Sequence, residues 1–359
     1  MDIRIPLIFF LLLLISGCSE QQNTAQTNEK SKELRQTDTS SEREVLIVNL
    51  NVPWAITKTE ENFFISERNG SIVEWNASTN EIKRKNVELS KAVHQEGEGG
   101  FLGIELLPDF QNTQRAFAYH TYKENGDTKN RVVVLERGED SWKEIKVLLE
   151  DIPGEVFHNG GRLKIGPDLK LYITTGDALQ SELAQNTNSL AGKILRMNLD
   201  GSVPEDNPFT NSYVYSYGHR NSQGLAWDEE GQLYSSEHGQ EAHDELNKIE
   251  PGQNYGWPDI QGDEEKNGMQ TPLFHTGNIT WGPSGISYKD GKLYVAALRG
   301  EAIMVYPIEG DEAETFIDGE GRIRDVLIDG NSMYYITNNT DGRGTPAEND
   351  DKLVKVNIE

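Results

Sequence analysis

One short pattern recurs six times along this 359-residue chain, and its period limits the folds open to it. The pattern is two or three apolar or aromatic residues, then small or hydroxyl residues, then a polar turn. It reads FFISERNG from Phe63, AFAYHTYK from Ala116 and LYITTGDA from Leu171. It returns as LYSSEHGQ from Leu233, LYVAALRG from Leu293 and YYITNNTD from Tyr334. Several copies follow a tight-turn sequence (Gly166-Pro167-Asp168, Glu230-Gly231, Asp290-Gly291), which suits hairpins. A period of roughly 40 to 60 residues, each holding several short strands, is the signature of propeller blades. The expected fold is all-β, a six-bladed β-propeller. An eight-stranded barrel with long loops leaves the period without a cause. In a propeller, loops from every blade meet at one end of a central channel. Polar residues at the repeat ends therefore become candidates for one shared site.

Composition agrees and limits the partners. The chain has 34 Gly and few helix signals, which favours strands and turns. Its formal net charge is −25, which excludes nucleic acid, because phosphate binding needs a basic face. At the N-terminus, one arginine precedes an apolar run from Ile5 to Ile15, too short for a mature membrane span and of signal-peptide proportions. The run ends in Ile15-Ser16-Gly17-Cys18, which resembles a bacterial lipobox. Residues 1–17 are then a lipoprotein signal peptide and Cys18 the lipidated mature N-terminus. Cys18 is the only cysteine, so no intramolecular disulfide forms. Residues 18–43 are polar and without apolar periodicity, a flexible tether. The folded domain is expected over 44–359, extracytoplasmic and held to a bacterial membrane by the lipid alone, as a monomer or homodimer.

Four stretches are too polar and glycine-rich for ordinary strands: HQEGEGGFLGIELLPDF (94–110), HNGGRLKIGPD from His158, SYGHRNSQGLAWD (216–228) and SSEHGQEAHDELNKIEPGQNYGWP (235–258). WGPSG (281–285) and GRIRDV (321–326) complete the set. Taken alone, His158 is compatible with a catalytic base, a metal ligand or a turn residue. Arginines 220, 299, 322 and 324 fall on loop-like stretches near repeat ends, an arrangement suited to binding carboxylates bidentately.

In that order the motifs resemble the pyrroloquinoline-quinone (PQQ)-dependent soluble aldose sugar dehydrogenases of the glucose/sorbosone dehydrogenase family, over most of residues 45–358. The resemblance implies a six-bladed propeller that oxidises aldoses to lactones and passes electrons to an external acceptor. It makes His158 the base that takes the hydroxyl proton. It places Glu98, Arg220, Asn221, His238, Thr280, Arg299, Arg322, Arg324 and Thr337 against the quinone. His219 becomes structural. It also implies two calcium ions. One lies on the backbone carbonyls of Gly239 and Gln240, and the second on Glu245 and the Tyr255 carbonyl. Four departures stand out. Glu98 replaces a glutamine and brings a negative charge toward an anionic ligand, so it is expected to be protonated or paired with Arg162 or Arg220. Gln240 replaces a proline, HDEL replaces a glycine-rich run, and Asn338 replaces an aspartate. The glycines after His158 read as room for a flat cofactor. Two other functions compete: a calcium-dependent propeller lactonase, which needs carboxylates and Asn around a central metal, and a non-catalytic propeller that binds a glycan or a protein.

Overall fold

The computed structural model describes residues 43–358. The expected signal peptide, Cys18 and the tether up to residue 42 lie outside the described residues. Among the described residues the helical pieces are Phe110–Thr113 and the 3-10 turn Ser181–Gln185, and no helix is long and apolar enough to cross a membrane.

Each sequence repeat forms the second strand of an antiparallel run of four. The Phe63 repeat lies in Asn62–Glu67, paired between Pro53–Lys58 and Ser71–Asn76. The others lie in Arg115–Glu124, Lys170–Thr175, Leu233–Glu237, Lys292–Ala297 and Ser332–Thr337. Four of the runs are separate four-stranded sheets. The first two merge into one eight-stranded sheet, because Glu81–Glu88 pairs in parallel with Ser141–Pro153. The last sheet borrows Glu44–Ile47 from the start of the domain, which pairs with Leu353–Asn357 and so ties the two ends together. The apolar run of each repeat is buried on both faces, as for Phe63, Phe64 and Ile65, because neighbouring sheets cover both sides.

The first strands share an irregularity. Register shifts interrupt Pro53–Lys58, Phe101–Leu106, Ser222–Trp227, Pro283–Lys289 and Ile323–Asp329 near their beginnings. A bulge leaves a residue unpaired and re-aims its side chain. Trp54, Gln223, Ser284 and Arg324 occupy these positions, and they meet one another. The Arg324 Nη1 donates to Gln223 Oε1 (2.9 Å), and its guanidinium lies 6.0 Å from the Trp54 ring centroid. Two serine hydroxyls of the repeats bridge to the next run. Ser66 Oγ donates to the Leu102 carbonyl, and Ser236 Oγ donates to that of Ser284 (2.6 Å). In these two repeats the small polar residue is thus a clasp between neighbouring runs.

Arg162 and Asp325 anchor this interior. Both are buried, and Arg162 Nη1 donates to Asp325 Oδ2 at 2.8 Å. The same oxygen accepts the Ile56 amide (2.9 Å), Arg162 Nε donates to the Gln223 carbonyl (2.8 Å), and the guanidinium sits 4.3 Å from the Trp54 centroid. Gly285 is required beside it, since a Cβ there would come within 1.7 Å of Asp325 Oδ1. Removing one partner strands a buried charge. Asp325→Ala should therefore destabilise the fold by about 3–5 kcal/mol in denaturant titration, and Glu81→Ala, at an exposed pair, by under about 1 kcal/mol.

Candidate functional site

A cavity of about 470 Å³ opens where the first strands begin and the turns after the second strands end. Its lining includes eleven of the residues singled out from the sequence: Glu98, His158, Arg220, Asn221, His238, Gly239, Gln240, Thr280, Arg299, Arg322 and Arg324. These come from distant parts of the chain, brought together by the ring of runs. Thr337 is not among them. It is fully buried, and its hydroxyl donates to Asp351 Oδ1 (3.2 Å) and accepts the Lys352 amide (2.9 Å). That corrects the sequence reading, because the Thr337 hydroxyl serves the turn behind the cavity wall.

His158 stands at the cavity edge with its imidazole held from behind. Its Nδ1 is 2.8 Å from Asp177 Oδ1. The other Asp177 oxygen accepts the Trp257 indole N–H (2.8 Å), and Oδ1 also accepts the Leu179 amide (2.9 Å). With Nδ1–H committed to a carboxylate, Nε2 is left as the basic nitrogen. The backbone of His158 is left-handed (φ 60°), a conformation that costs a non-glycine residue of order 1–3 kcal/mol and concentrates at functional sites. It is held there by the Ala178 amide donating to the His158 carbonyl (3.3 Å). The two glycines that follow serve the protein and not a ligand. A Cβ on Gly160 would strike the Thr174 carbonyl at 2.5 Å, and one on Gly161 would strike Leu102 at 2.8 Å. Asp177 and Trp257 were not identified from the sequence; the LYITTGDA repeat placed Asp177 at a run end, but nothing local pairs it with His158.

The cavity is cationic within an acidic protein, with five arginines against the three carboxylates of Glu98, Asp244 and Glu301. Arg322 donates to the Leu298 carbonyl (3.1 Å) and Asp341 (3.0 Å), and Arg324 to Gln223 and Asn338 Oδ1 (3.1 Å). Arg220 donates to the His238 carbonyl (3.3 Å) and lies over the Trp257 ring at 5.4 Å. In all three, Nε is buried and has no hydrogen-bond partner among the described residues. Burial lowers the pKa of each, that of Arg324 to about 9, which leaves it charged at neutral pH. Arg299 is exposed at the rim. Asn221 is buried and its Oδ1 accepts the Gly160 amide (3.1 Å). Thr280 donates to Asp244 Oδ2 (2.8 Å), an oxygen that also accepts the amides of Trp281 and Gly282.

Glu98 is paired, with a partner the sequence reading did not name. Arg343 Nη1 donates to its Oε1 (2.9 Å), and the His158 amide donates to Oε2 (3.3 Å). Arg162 is held by Asp325 instead. Burial opposes charge on Glu98, yet His238, Arg343 and the His158 amide outweigh it and hold the carboxyl down at about 2. Burial also drives His238 down to about 4, so at neutral pH Arg343 is the cation that acts on Glu98. The added carboxylate is thus ionised and neutralised within the wall. His219 is fully buried between Ser216 and Glu237 and stacks on Tyr255, as a structural histidine should.

Glu245 and Tyr255 do not reach the main cavity. They border a space of about 10 Å³ behind Gly239, the volume of one water-sized sphere. Burial and the charge of nearby Glu237 push the Glu245 carboxyl up to about 8. Among the described residues no three His, Cys, Asp or Glu side chains converge as a ready-made metal site. The carbonyls of Gly239, Gln240 and Tyr255 accept no hydrogen bond from any described residue.

Fold and site together define an all-β protein whose sheets surround an arginine-lined cavity with a histidine–aspartate pair on its edge. The chain belongs to the Glucose / Sorbosone dehydrogenase family, whose model matches residues 50–346. It is 34% identical over 260 residues to quinoprotein glucose dehydrogenase B of Acinetobacter calcoaceticus, a match covering 63% of this chain and 54% of that protein. The chain thus spans about half the length of that relative. It is 29% identical over 335 residues to aldose sugar dehydrogenase YliI of Escherichia coli (strain K12), covering 82% and 88% of the two chains. The solved PQQ-bound form of aldose sugar dehydrogenase from Streptomyces coelicolor superposes with a TM-score of 0.82 at 37% identity, over 88% of this chain and 97% of that one.

The Glu98 ion pair has a pH signature. A carboxyl held below its ordinary value stabilises the fold above about pH 4.5, and that contribution is lost as pH falls toward 2. The stability difference between the wild type and Glu98→Gln, measured by denaturant titration, should shrink steadily from pH 5 to pH 3. A difference independent of pH in that window would contradict the assignment.

Proposed function

We propose that the six antiparallel runs are the blades of a propeller, and that the chain uses PQQ to oxidise aldose sugars to lactones. One observation carries the reading: buried, unpartnered guanidinium nitrogens of Arg220, Arg322 and Arg324 share a cavity with the His158–Asp177 pair. PQQ carries three carboxylates, so a cradle of arginines with free N–H groups fits it, with Asn221, Thr280 and Arg299 as further polar neighbours. When bound, it supplies the electrophilic carbonyl that accepts hydride, and the electrons then pass to an external acceptor. The chain's own residues do the rest. His158 Nε2 takes the proton of the sugar hydroxyl, and Asp177 stabilises the resulting imidazolium. Trp257 fixes Asp177 through its indole N–H and lies under Arg220, so base and cradle share one support.

Calcium fits as a second cofactor. Gly239 and Gln240 line the cavity, and their carbonyls, which accept no hydrogen bond from a described residue, would hold such an ion, which would supply Lewis-acid chemistry there. Glu245 and the Tyr255 carbonyl suit a second, structural ion, because a cation there relieves the crowding of Glu237 and Glu245. The lactonase alternative needs a metal at the channel centre, where this chain has Trp54, Arg324 and the Arg162–Asp325 pair. A lipid anchor at Cys18 and an extracytoplasmic place remain part of the proposal on sequence grounds.

Two experiments test it. Purified full-length protein supplied with PQQ and calcium should show a bound-quinone spectrum and reduce a dye when given aldoses; neither uptake nor turnover would refute the reading. His158→Ala should lower kcat by about 10²–10⁴-fold with quinone uptake retained, whereas Arg324→Ala should weaken uptake. Separately, calcium should raise Tm in the absence of quinone, and Glu245→Gln should reduce that rise. An unchanged Tm with calcium would remove the structural ion.

A further inference from the structure

One hairpin is far longer than its counterparts. Its strands, Arg115–Glu124 and Asp127–Arg137, have 10 and 11 residues, whereas Lys170–Thr175 and Lys193–Asn198 of the next run have 6 each. Pairing continues to Glu124 opposite Asp127 across Asn125-Gly126, both left-handed (φ 56° and 97°), as a two-residue hairpin turn requires. The extension is fastened to the catalytic loop. Asn130 Nδ2 donates to Asn159 Oδ1 (3.0 Å), and the Tyr119 hydroxyl donates to the Asn159 carbonyl (2.8 Å), one residue beyond His158.

Between the hairpin tip and that loop lies a second cavity of about 440 Å³, lined by Lys123, Asp127 and Lys129 from the hairpin and by Glu96, Glu155 and Gln180. The partition between the two cavities is two segments thick, joined by the Glu98 amide donating to the Val156 carbonyl (2.7 Å). Side chains alternate across it: Glu96 and Val156 line the outer cavity, Glu98 and Phe157 the inner one. The Phe157 side chain, 42% exposed, sits on the partition, and Leu179, 52% exposed, follows Asp177 closely. Lys123, Asp127 and Gln180 make no side-chain hydrogen bond or ion pair with any described residue.

A saccharide presents apolar C–H faces and rings of hydroxyls, so it is recognised by an exposed aromatic together with free donors and acceptors. We propose that the outer cavity is a subsite for the second and third units of an oligosaccharide whose terminal unit enters the inner cavity, with Phe157 carrying the chain over the partition. This rests on the sugar-oxidising reading and names its substrate class: short oligosaccharides bound ahead of monosaccharides.

Calorimetry on the quinone-free protein tests it with methyl glycosides of α- and β-linked gluco-oligosaccharides, which cannot be oxidised at the anomeric carbon. A trisaccharide of one linkage should bind at least about ten-fold tighter than the monosaccharide. The double variant Lys123→Ala/Asp127→Ala should erase most of that advantage and leave monosaccharide affinity and Tm unchanged. Equal affinity for one and three units of every linkage, or equal loss for both in the variant, would overturn the subsite. Turnover separates the two readings. Monosaccharide oxidation with no dependence on chain length sinks the subsite alone, whereas chain-length-dependent binding with no turnover of any aldose sinks the dehydrogenase reading alone.

Discussion

The buried contact of Arg162 with Asp325 and Trp54 is what the rest of the structure is organised around. The three residues come from three different runs, so the contact measures whether the sheets have closed on one another correctly. Burying a charge pair costs several kcal/mol per ion in desolvation, and only good geometry with further hydrogen bonds recovers it. Here those bonds come from the Ile56 amide and the Gln223 carbonyl, each in another first strand. Correct closure is thereby coupled to satisfaction of a buried charge, and mis-assembly is penalised.

The site inherits its geometry from that interior. Arg324 occupies a bulge position of a first strand, and Arg322 lies just before it, so both approach the cavity from the packed side. Their Nε nitrogens are buried and without partners among the described residues, an arrangement that costs free energy unless another group relieves it. The pocket is cationic in a chain of net charge −25 because the fold concentrates five arginines around it. Glu98 fits the same logic. It adds a carboxylate beside an anion pocket, and Arg343 from the last long turn cancels it.

Much of this was legible in the residues. The six repeats marked the second strand of each run because two-sided burial demands an apolar core in every one, and in two of them the serine after it is a clasp to the next run. The motif residues His158, Arg220, Asn221, Arg322 and Arg324 do meet at one cavity. Other readings failed for local physical reasons. Gly160 and Gly161 are pressed against a strand, so they make no room for a ligand. Thr337 is turned into the wall by Asp351, a carboxylate whose approach no spacing announces.

The sequence by itself determined the strand period, the place of each repeat as a second strand and the chemical kinds of residue at the run ends. Those depend on local alternation and on side-chain chemistry, which are written along the chain. Only the tertiary structure decided the partners: Asp177 and Trp257 behind His158, Arg343 on Glu98, Asp325 on Arg162. His158 and Asp177 flank one run, but the other pairings join groups far apart in sequence, across a ring whose closure sets their distances. A charge in one run cannot specify which opposite charge it will face until the runs have closed around the centre.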